Sequence, residues 1–253
     1  MLRNRVIPAL LLHQTGLVKT TEFKNPKYVG DPINVIRIFN DKEVDELLLL
    51  DISASKNKVE PNYELIKEIA GECFMPMTYG GGIQTLDQAN KIFACGVEKI
   101  CLQSAAINNM SLISNLANRY GSQSIVISLD IKKNLLGEIN FFHSSQNKIL
   151  KLDLNFLVKD LVNAGAGEIL LNSVDKDGTL SGPDLNLIKY FSQLTGVPLI
   201  AAGGISSLLD IKAAIDAGAN AIAAGAFFIY HGPHRAVLIT YPKYSELEKL
   251  FIN

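Results

Sequence analysis

Carboxylates and glycines gather at the ends of short apolar runs in this chain, and those residue types in that position can move protons and hold anions. Asp130 closes the run Ser124 to Asp130, and Asp51 closes Glu46 to Asp51. Asp175 and Asp177 follow Glu168 to Asn172, in the segment Asp175-Lys176-Asp177-Gly178-Thr179. Two such groups can divide proton donation and removal between them. The pairs Gly81-Gly82 and Gly203-Gly204 follow the runs Met75 to Tyr79 and Pro198 to Ala202. Lacking a Cβ, they let a ligand approach backbone amides that can cradle a phosphate. Ser104, in Gln103-Ser104-Ala105, and the dipeptide Gly225-Ala226 are also small and complete one cradle each. Two cradles suit a ligand with two phosphate-like ends.

Eight apolar runs must position these residues: Arg5 to Leu12, Glu46 to Asp51, Met75 to Tyr79, Lys99 to Leu102, Ser124 to Asp130, Glu168 to Asn172, Pro198 to Ala202 and Ala219 to Ala224. Runs apolar along their whole length read as strands covered on both faces, as in a parallel sheet. Between them Tyr63 to Glu72, Leu86 to Cys95, Leu154 to Ala164, Leu185 to Leu194 and Leu208 to Ala217 carry helical periodicity, giving repeated βα units. The chain also repeats itself at an offset of 122: Glu46/Glu168, Pro61/Pro183, Pro76/Pro198, Gly81-Gly82-Ile83/Gly203-Gly204-Ile205 and Gly96/Gly218. A duplicated four-unit half predicts a (β/α)8 TIM barrel as one domain over 1–253, with half-barrels of 1–120 and 121–253. In that fold the chemistry lies where the strands end, which is where the aspartates and glycines fall.

Composition removes several classes of function. The chain has 253 residues, 48% hydrophobic, with 25 acidic and 24 basic side chains, so no strong field points to nucleic acid or a membrane surface. Met1 to Arg5 followed by Val6 to Leu12 has no small-residue cleavage site and reads as a first strand, and no run is long enough to span a membrane. Cys73, Cys95 and Cys101 are odd in number and lack metal-ligand spacing, which fits core thiols in a reducing cytoplasm. His13, His143, His231 and His234 are too scattered for a metal site, and no cofactor is expected. The aromatic tail from Phe227 to Tyr241 is expected to cover the last strand and helix.

The segments Leu50-Asp51-Ile52-Ser53-Ala54-Ser55, Tyr79-Gly80-Gly81-Gly82-Ile83, Gly165-Ala166-Gly167-Glu168-Ile169-Leu170-Leu171 and Asp175 to Thr179 resemble signatures of the HisF family. This family is the cyclase subunit of imidazole glycerol phosphate synthase; its isomerase relative in histidine biosynthesis is a more distant likeness. The resemblance runs through nearly the whole chain. It implies a barrel that takes ammonia from a HisH-type glutaminase docked on its N-terminal face. It further implies an ammonia gate of Arg5, Glu46, Lys99 and Glu168, each at the start of a predicted strand. A salt-bridge network without a conduit role is the competing reading of those four. Among ligand-side positions Lys19, Thr78, Ser144, Asp177 and Gly178 match the family, Gln103 and Ser104 stand where asparagine and threonine are usual, and Asn172 replaces a threonine.

One departure bears on the activity. The family's cyclase reaction resembles paired acid/base work by two aspartates, at the ends of the first and fifth strands. Asp130 fits the second, but Leu11 occupies the first. Leucine carries no proton, and acid/base assistance typically contributes roughly 10²–10⁴-fold, so ordinary cyclase activity should be severely impaired. Nearby His13 is the one titratable substitute. The gate is kept while the ligand side is altered, a pattern that implies retained ammonia supply and a changed acceptor. HisF-like paralogues of this character are associated with turning an acetamido into an acetamidino group on surface-polysaccharide sugars. There a sugar nucleotide or another phosphorylated small molecule is the ligand, with a third, ATP-dependent amidotransferase as a further partner. The alternatives are a true cyclase that manages without the first aspartate, and a non-catalytic partner that activates the glutaminase and conveys ammonia.

Overall fold

Alternation along the fifth apolar run shows how the barrel is built. Ile125, Ile127, Leu129 and Ile131 pack outward into the layer beneath the helices, while Val126 turns inward to join Ile7, Leu48, Cys101, Leu170, Ile200, Ala221 and Ala223. A strand with apolar partners on both faces has no polar stripe, hence the continuous hydrophobic runs. The computed structural model describes residues 4–251. Eight strands pair in parallel and in chain order: β1 (Arg5–His13), β2 (Leu47–Asp51), β3 (Met77–Gly80), β4 (Lys99–Leu102), β5 (Ile125–Lys133), β6 (Glu168–Ser173), β7 (Leu199–Ala202) and β8 (Ala221–Ala224). Pairing of β8 with β1 closes the (β/α)8 barrel.

The outer helices are α1 (Pro32–Asp41), α2 (Tyr63–Glu72), α3 (Leu86–Ala94), α4 (Met110–Tyr120), α5 (Leu154–Ala164), α6 (Leu185–Leu194), α7 (Leu208–Asp216) and α8 (Tyr244–Phe251). Of these, α1, α2, α3, α5, α6 and α7 each start at a side-chain cap, and the caps follow the internal repeat. Asn62 accepts from the Leu65 amide on α2, and Asp184, at the same place in the other half, accepts from Leu187 on α6. Thr85 on α3 and Ser207 on α7 form the second such pair, each at 3.2 Å from its amide. Each cap contributes about 1 kcal/mol by satisfying an otherwise unpaired donor.

Three features differ from the sequence expectation. β1 and β5 run on past the barrel rim into antiparallel hairpins, Gly16–Thr21 with Lys24–Gly30 and Ile139–His143 with Lys148–Leu150. Their outer strands are largely exposed, the first mostly polar and the second only three residues long, so neither carries an apolar run to reveal it. The tail after β8 only partly covers the barrel: Phe228 and Ile229 are buried and the Phe228 and Tyr241 rings lie 5.2 Å apart, but His231 to Leu238 stand out as an exposed hairpin. Of the thiols only Cys101 is buried in the core; Cys73 and Cys95 are half-buried. Among the described residues no helix is long and apolar enough to cross a membrane.

Candidate active site at the barrel mouth

Asp130 is the inward residue two positions beyond Ser128 on β5, and it is buried at 5% exposure. Ser128 Oγ donates to its Oδ1 at 3.1 Å and Gln103 Nε2 to its Oδ2 at 2.5 Å. Gln103 is itself oriented by Ser144, whose hydroxyl donates to Gln103 Oε1 at 2.6 Å. Burial pushes the Asp130 carboxyl up to about 7, against the pull of the donors Ser128 and Gln103; the charge of Asp177 adds to the rise. A carboxyl poised there both gives and takes protons at neutral pH. Beside it on β6, Asn172 is its register partner, and the buried Oδ1 of Asn172 has no hydrogen-bond partner.

The β1 side of the mouth is chemically different. Ile7 and Ala9 belong to the barrel interior, so alternation turns Leu11 inward as well, where it is the register partner of Leu50 on β2. No acid from these strands substitutes for it. Asp51 is directed away from the interior and its Oδ1 accepts from the Ser53 amide and hydroxyl and the Ala54 amide, at 2.7 to 3.0 Å. That carboxylate builds a turn. His13 ends β1 half-buried, as the register partner of Gly16 in the first hairpin.

The two glycine pairs occupy equivalent backbone positions. Gly81 and Gly203 have φ of +121° and +100°, and a Cβ on either would strike a carbonyl oxygen, that of Asp51 at 2.3 Å or of Ser173 at 2.7 Å. Asp51 and Ser173 are themselves repeat equivalents. Gly82 and Gly204, at +72° and +89°, are similarly restricted, and a Cβ on Gly204 would lie 2.2 Å from the Gly182 carbonyl. The backbone therefore requires glycine at these positions with or without a ligand.

The first hairpin folds across the mouth and brings Lys19 beside Gly225, where its Nζ donates to the Ala9 carbonyl. It is pinned by Asp177: Thr20 Oγ1 donates to Asp177 Oδ2 at 2.9 Å, the Glu22 amide donates to the Asp177 carbonyl at 2.9 Å, and the Thr20 carbonyl lies where a Cβ on Gly178 would be. Burial pulls the Lys19 ammonium down to about 8, partly offset by Asp177. At the first cradle Ser104 Oγ lies 3.2 Å from Ser145 Oγ, which lies 3.3 Å from Nδ1 of buried His143. The polar network of Gln103, Ser128, Ser144 and Ser145 was not legible as a site from spacing, because the second hairpin brings half of it in from outside the barrel.

At the opposite end, Arg5, Glu46, Lys99 and Glu168 close a ring across the barrel floor. Arg5 donates to Glu46 at 2.5 Å and to Glu168 at 3.0 Å, and Lys99 Nζ reaches Glu46 at 3.1 Å and Glu168 at 3.0 Å. Each cation touches both anions, and Thr78 Oγ1 donates a further bond to Glu46 at 2.9 Å. Thr78 thus belongs to the floor, away from the mouth. The two glutamates are repeat equivalents, whereas the cations come from β1 and β4 alone.

The chain is similar to proteins of known sequence along nearly its whole length. Residues 5–234 match the family described as histidine biosynthesis protein. A Pseudomonas aeruginosa protein provisionally named imidazole glycerol phosphate synthase subunit hisF2 is 51% identical over 98% of this chain and 99% of its own length. A Leptospira borgpetersenii protein provisionally named the HisF subunit is 50% identical over 99% of this chain and 100% of its own length. The imidazole glycerol phosphate synthase subunit HisF of Streptococcus mutans is 38% identical over 82% of this chain and 83% of its own length. With identity this high along nearly its full length, and the same family match across all eight strands, the chain belongs to the HisF family.

Proposed function

We propose that this chain is the ammonia-using barrel subunit of a glutamine-dependent pair whose acceptor is no longer the phosphoribosyl substrate of the cyclase. A HisH-type glutaminase on the barrel floor supplies ammonia past the Arg5, Glu46, Lys99 and Glu168 ring. The acceptor we favour is the acetamido group of a surface-polysaccharide sugar precursor. The observation that carries this reading is the mouth's asymmetry: a poised Asp130 on β5 faces a β1 side where Leu11 and Leu50 are paired. Two-carboxylate proton traffic has no second carrier there, whereas a methyl-bearing group finds an apolar wall. The relatives fit this division, since one bearing the numbered name hisF2 is far more similar than the HisF of Streptococcus mutans.

Turning an acetamido into an acetamidino group replaces the carbonyl oxygen with NH and releases one water. Asp130 can take a proton from the attacking ammonia and return it to the departing oxygen. That oxygen leaves readily only once phosphorylated, the part of a third, ATP-dependent amidotransferase; it then departs in the phosphate, and the water of the uncoupled exchange is taken up as ATP goes to ADP and phosphate. The test is copurification with the native glutaminase, then glutamine-driven amination against a panel of phosphoribosyl and sugar-nucleotide acceptors. Efficient imidazole formation from the phosphoribosyl substrate would overturn the reading in favour of a cyclase. Stimulated glutaminase without transfer to any acceptor would leave a conduit.

A further inference from the structure

The exposed hairpin Tyr230–His231 with Ala236–Val237 follows β8 after one short helical turn, Ala226–Ile229, which begins at the Gly225-Ala226 cradle. Its base is held by backbone bonds from Leu238 to Ile229 and from Thr240 to Phe228, at 2.9 and 2.8 Å. At its turn Arg235 has φ of +50°, and its Nη2 donates 3.3 Å to the Thr179 carbonyl in the loop after β6. That loop also carries Lys176, whose Cβ lies 3.2 Å from where a Cβ of Gly204 would stand and whose Nζ bonds Ser181 Oγ at 3.3 Å. Lys176 and Arg235 thus meet on one loop, which borders the second glycine pair through Lys176 and through Gly182, whose amide donates to the Gly204 carbonyl at 2.9 Å.

Their partners are neutral oxygens, while every carboxylate around them is engaged. Asp175 accepts from the Lys133 amide at 2.8 Å, and Asp177 holds Thr20. Asp184 pairs with Lys133 Nζ, and Asp210 accepts from Ser206 at 2.6 and 2.8 Å. Among the described residues neither Lys176 nor Arg235 has an anionic partner. Fixed cations at the rim of a cradle, lacking local counter-charge, call for an anion from solution.

We propose that Arg235 and Lys176 form a second anion subsite adjoining the Gly203-Gly204 and Gly225 cradle, and that the ligand on this side of the mouth is a diphosphate. One phosphate takes the cradle amides with Lys19, and the phosphate joined to it takes Lys176 and the planar fork of Arg235. Lys176 stands beside Gly204 and Arg235 reaches the same loop at Thr179, so the second subsite adjoins the first and a linked pair of phosphates spans both. This rests on reading the mouth as an anion site, and it narrows the acceptor to molecules carrying a P–O–P group.

The test is calorimetric titration of the full chain with inorganic pyrophosphate and with inorganic phosphate. The wild type should bind pyrophosphate at least about tenfold more tightly, since one charge-assisted contact is worth roughly that factor. Arg235→Gln should lose about tenfold for pyrophosphate and under about twofold for phosphate, and Arg235→Lys should recover part of the loss. Lys176→Gln is an independent second variant should the hairpin change lower the melting temperature. Equal losses for both anions, an unchanged pyrophosphate affinity, or no pyrophosphate preference in the wild type would overturn the second subsite. Ammonia transfer is read separately by glutamine-driven amination, so loss of this inference leaves the proposed function standing, and the reverse.

Discussion

At the scale of single residues, Asp130 and Leu11 set what the mouth can do. A carboxyl raised to about 7 by burial makes folding depend on pH in a definite sense. Below about pH 4 it is protonated in both the folded and the unfolded chain. As pH rises from there the unfolded chain releases the proton while the folded one keeps it, so stability falls until about pH 7 and then levels. Asp130→Asn carries no such charge. It should therefore be more stable than wild type by a margin that grows from pH 4.5 to pH 8, on the order of a few kcal/mol at most, and should lose amination. Urea titrations at the two pH values check it; a constant margin would mean that Asp130 is not desolvated. Leu11→Asp restores the missing proton carrier, and imidazole formation from the phosphoribosyl substrate should then rise from its baseline by an order of magnitude or more. The run Ser124 to Asp130 put Asp130 among several strand-end carboxylates, because a charge ending a buried strand is visible in sequence, but only the likeness to the HisF family set it apart from Asp51, which the structure uses in a turn. Its partners Gln103 and Ser144 were not legible as a network, since nothing local says that the second hairpin returns Ser144 to the mouth.

Elements decide how these residues meet. The eight strands and most helices were readable because each has an apolar face or a cap, as Thr85 and Ser207 show at equivalent starts. Lys24–Gly30 has neither signal, being exposed along most of its length, yet its hairpin delivers Lys19 to the cradle. Lys19 is charged below its value of about 8 and neutral above it. Phosphate affinity should therefore decline as pH rises through 8, with proton uptake on binding above that pH, and Lys19→Met should bind more weakly with a flatter profile. Calorimetry in buffers of differing ionisation enthalpy measures both. The glycine pairs cannot be probed so simply. A Cβ at Gly81 or Gly204 collides with a carbonyl oxygen, so Gly204→Val tests folding before it tests ligand binding. Ser104→Ala leaves the backbone alone and is the cleaner change, expected to lower affinity for a phosphate at the first cradle by a few-fold through one lost hydroxyl.

For the molecule as a whole, duplication explains both its symmetry and where that symmetry is broken. Caps, glycine pairs and the floor glutamates all repeat, whereas Asp130 has Ala9-Leu10-Leu11-Leu12 opposite it and the floor cations come from one half. The floor ring joins β1, β2, β4 and β6 through charges that are each held by two opposite neighbours. Such a ring is destabilised more by losing one member than by never having existed, because the remaining charges stay confined without compensation. Lys99→Met removes the cation that bridges Glu46 and Glu168 and leaves their two carboxylates facing Arg5 alone. The variant should unfold at lower denaturant by roughly 1–3 kcal/mol, and the excess negative charge should draw water into the floor. If the floor passes ammonia from a docked glutaminase, the same change uncouples the pair: glutamine hydrolysis continues while less of its nitrogen reaches the acceptor. Ammonia added from outside reaches the mouth directly and still supports amination, so the ratio of glutamine-driven to ammonia-driven turnover should drop in Lys99→Met. A drop in stability with that ratio unchanged would make the ring a structural clasp and nothing more.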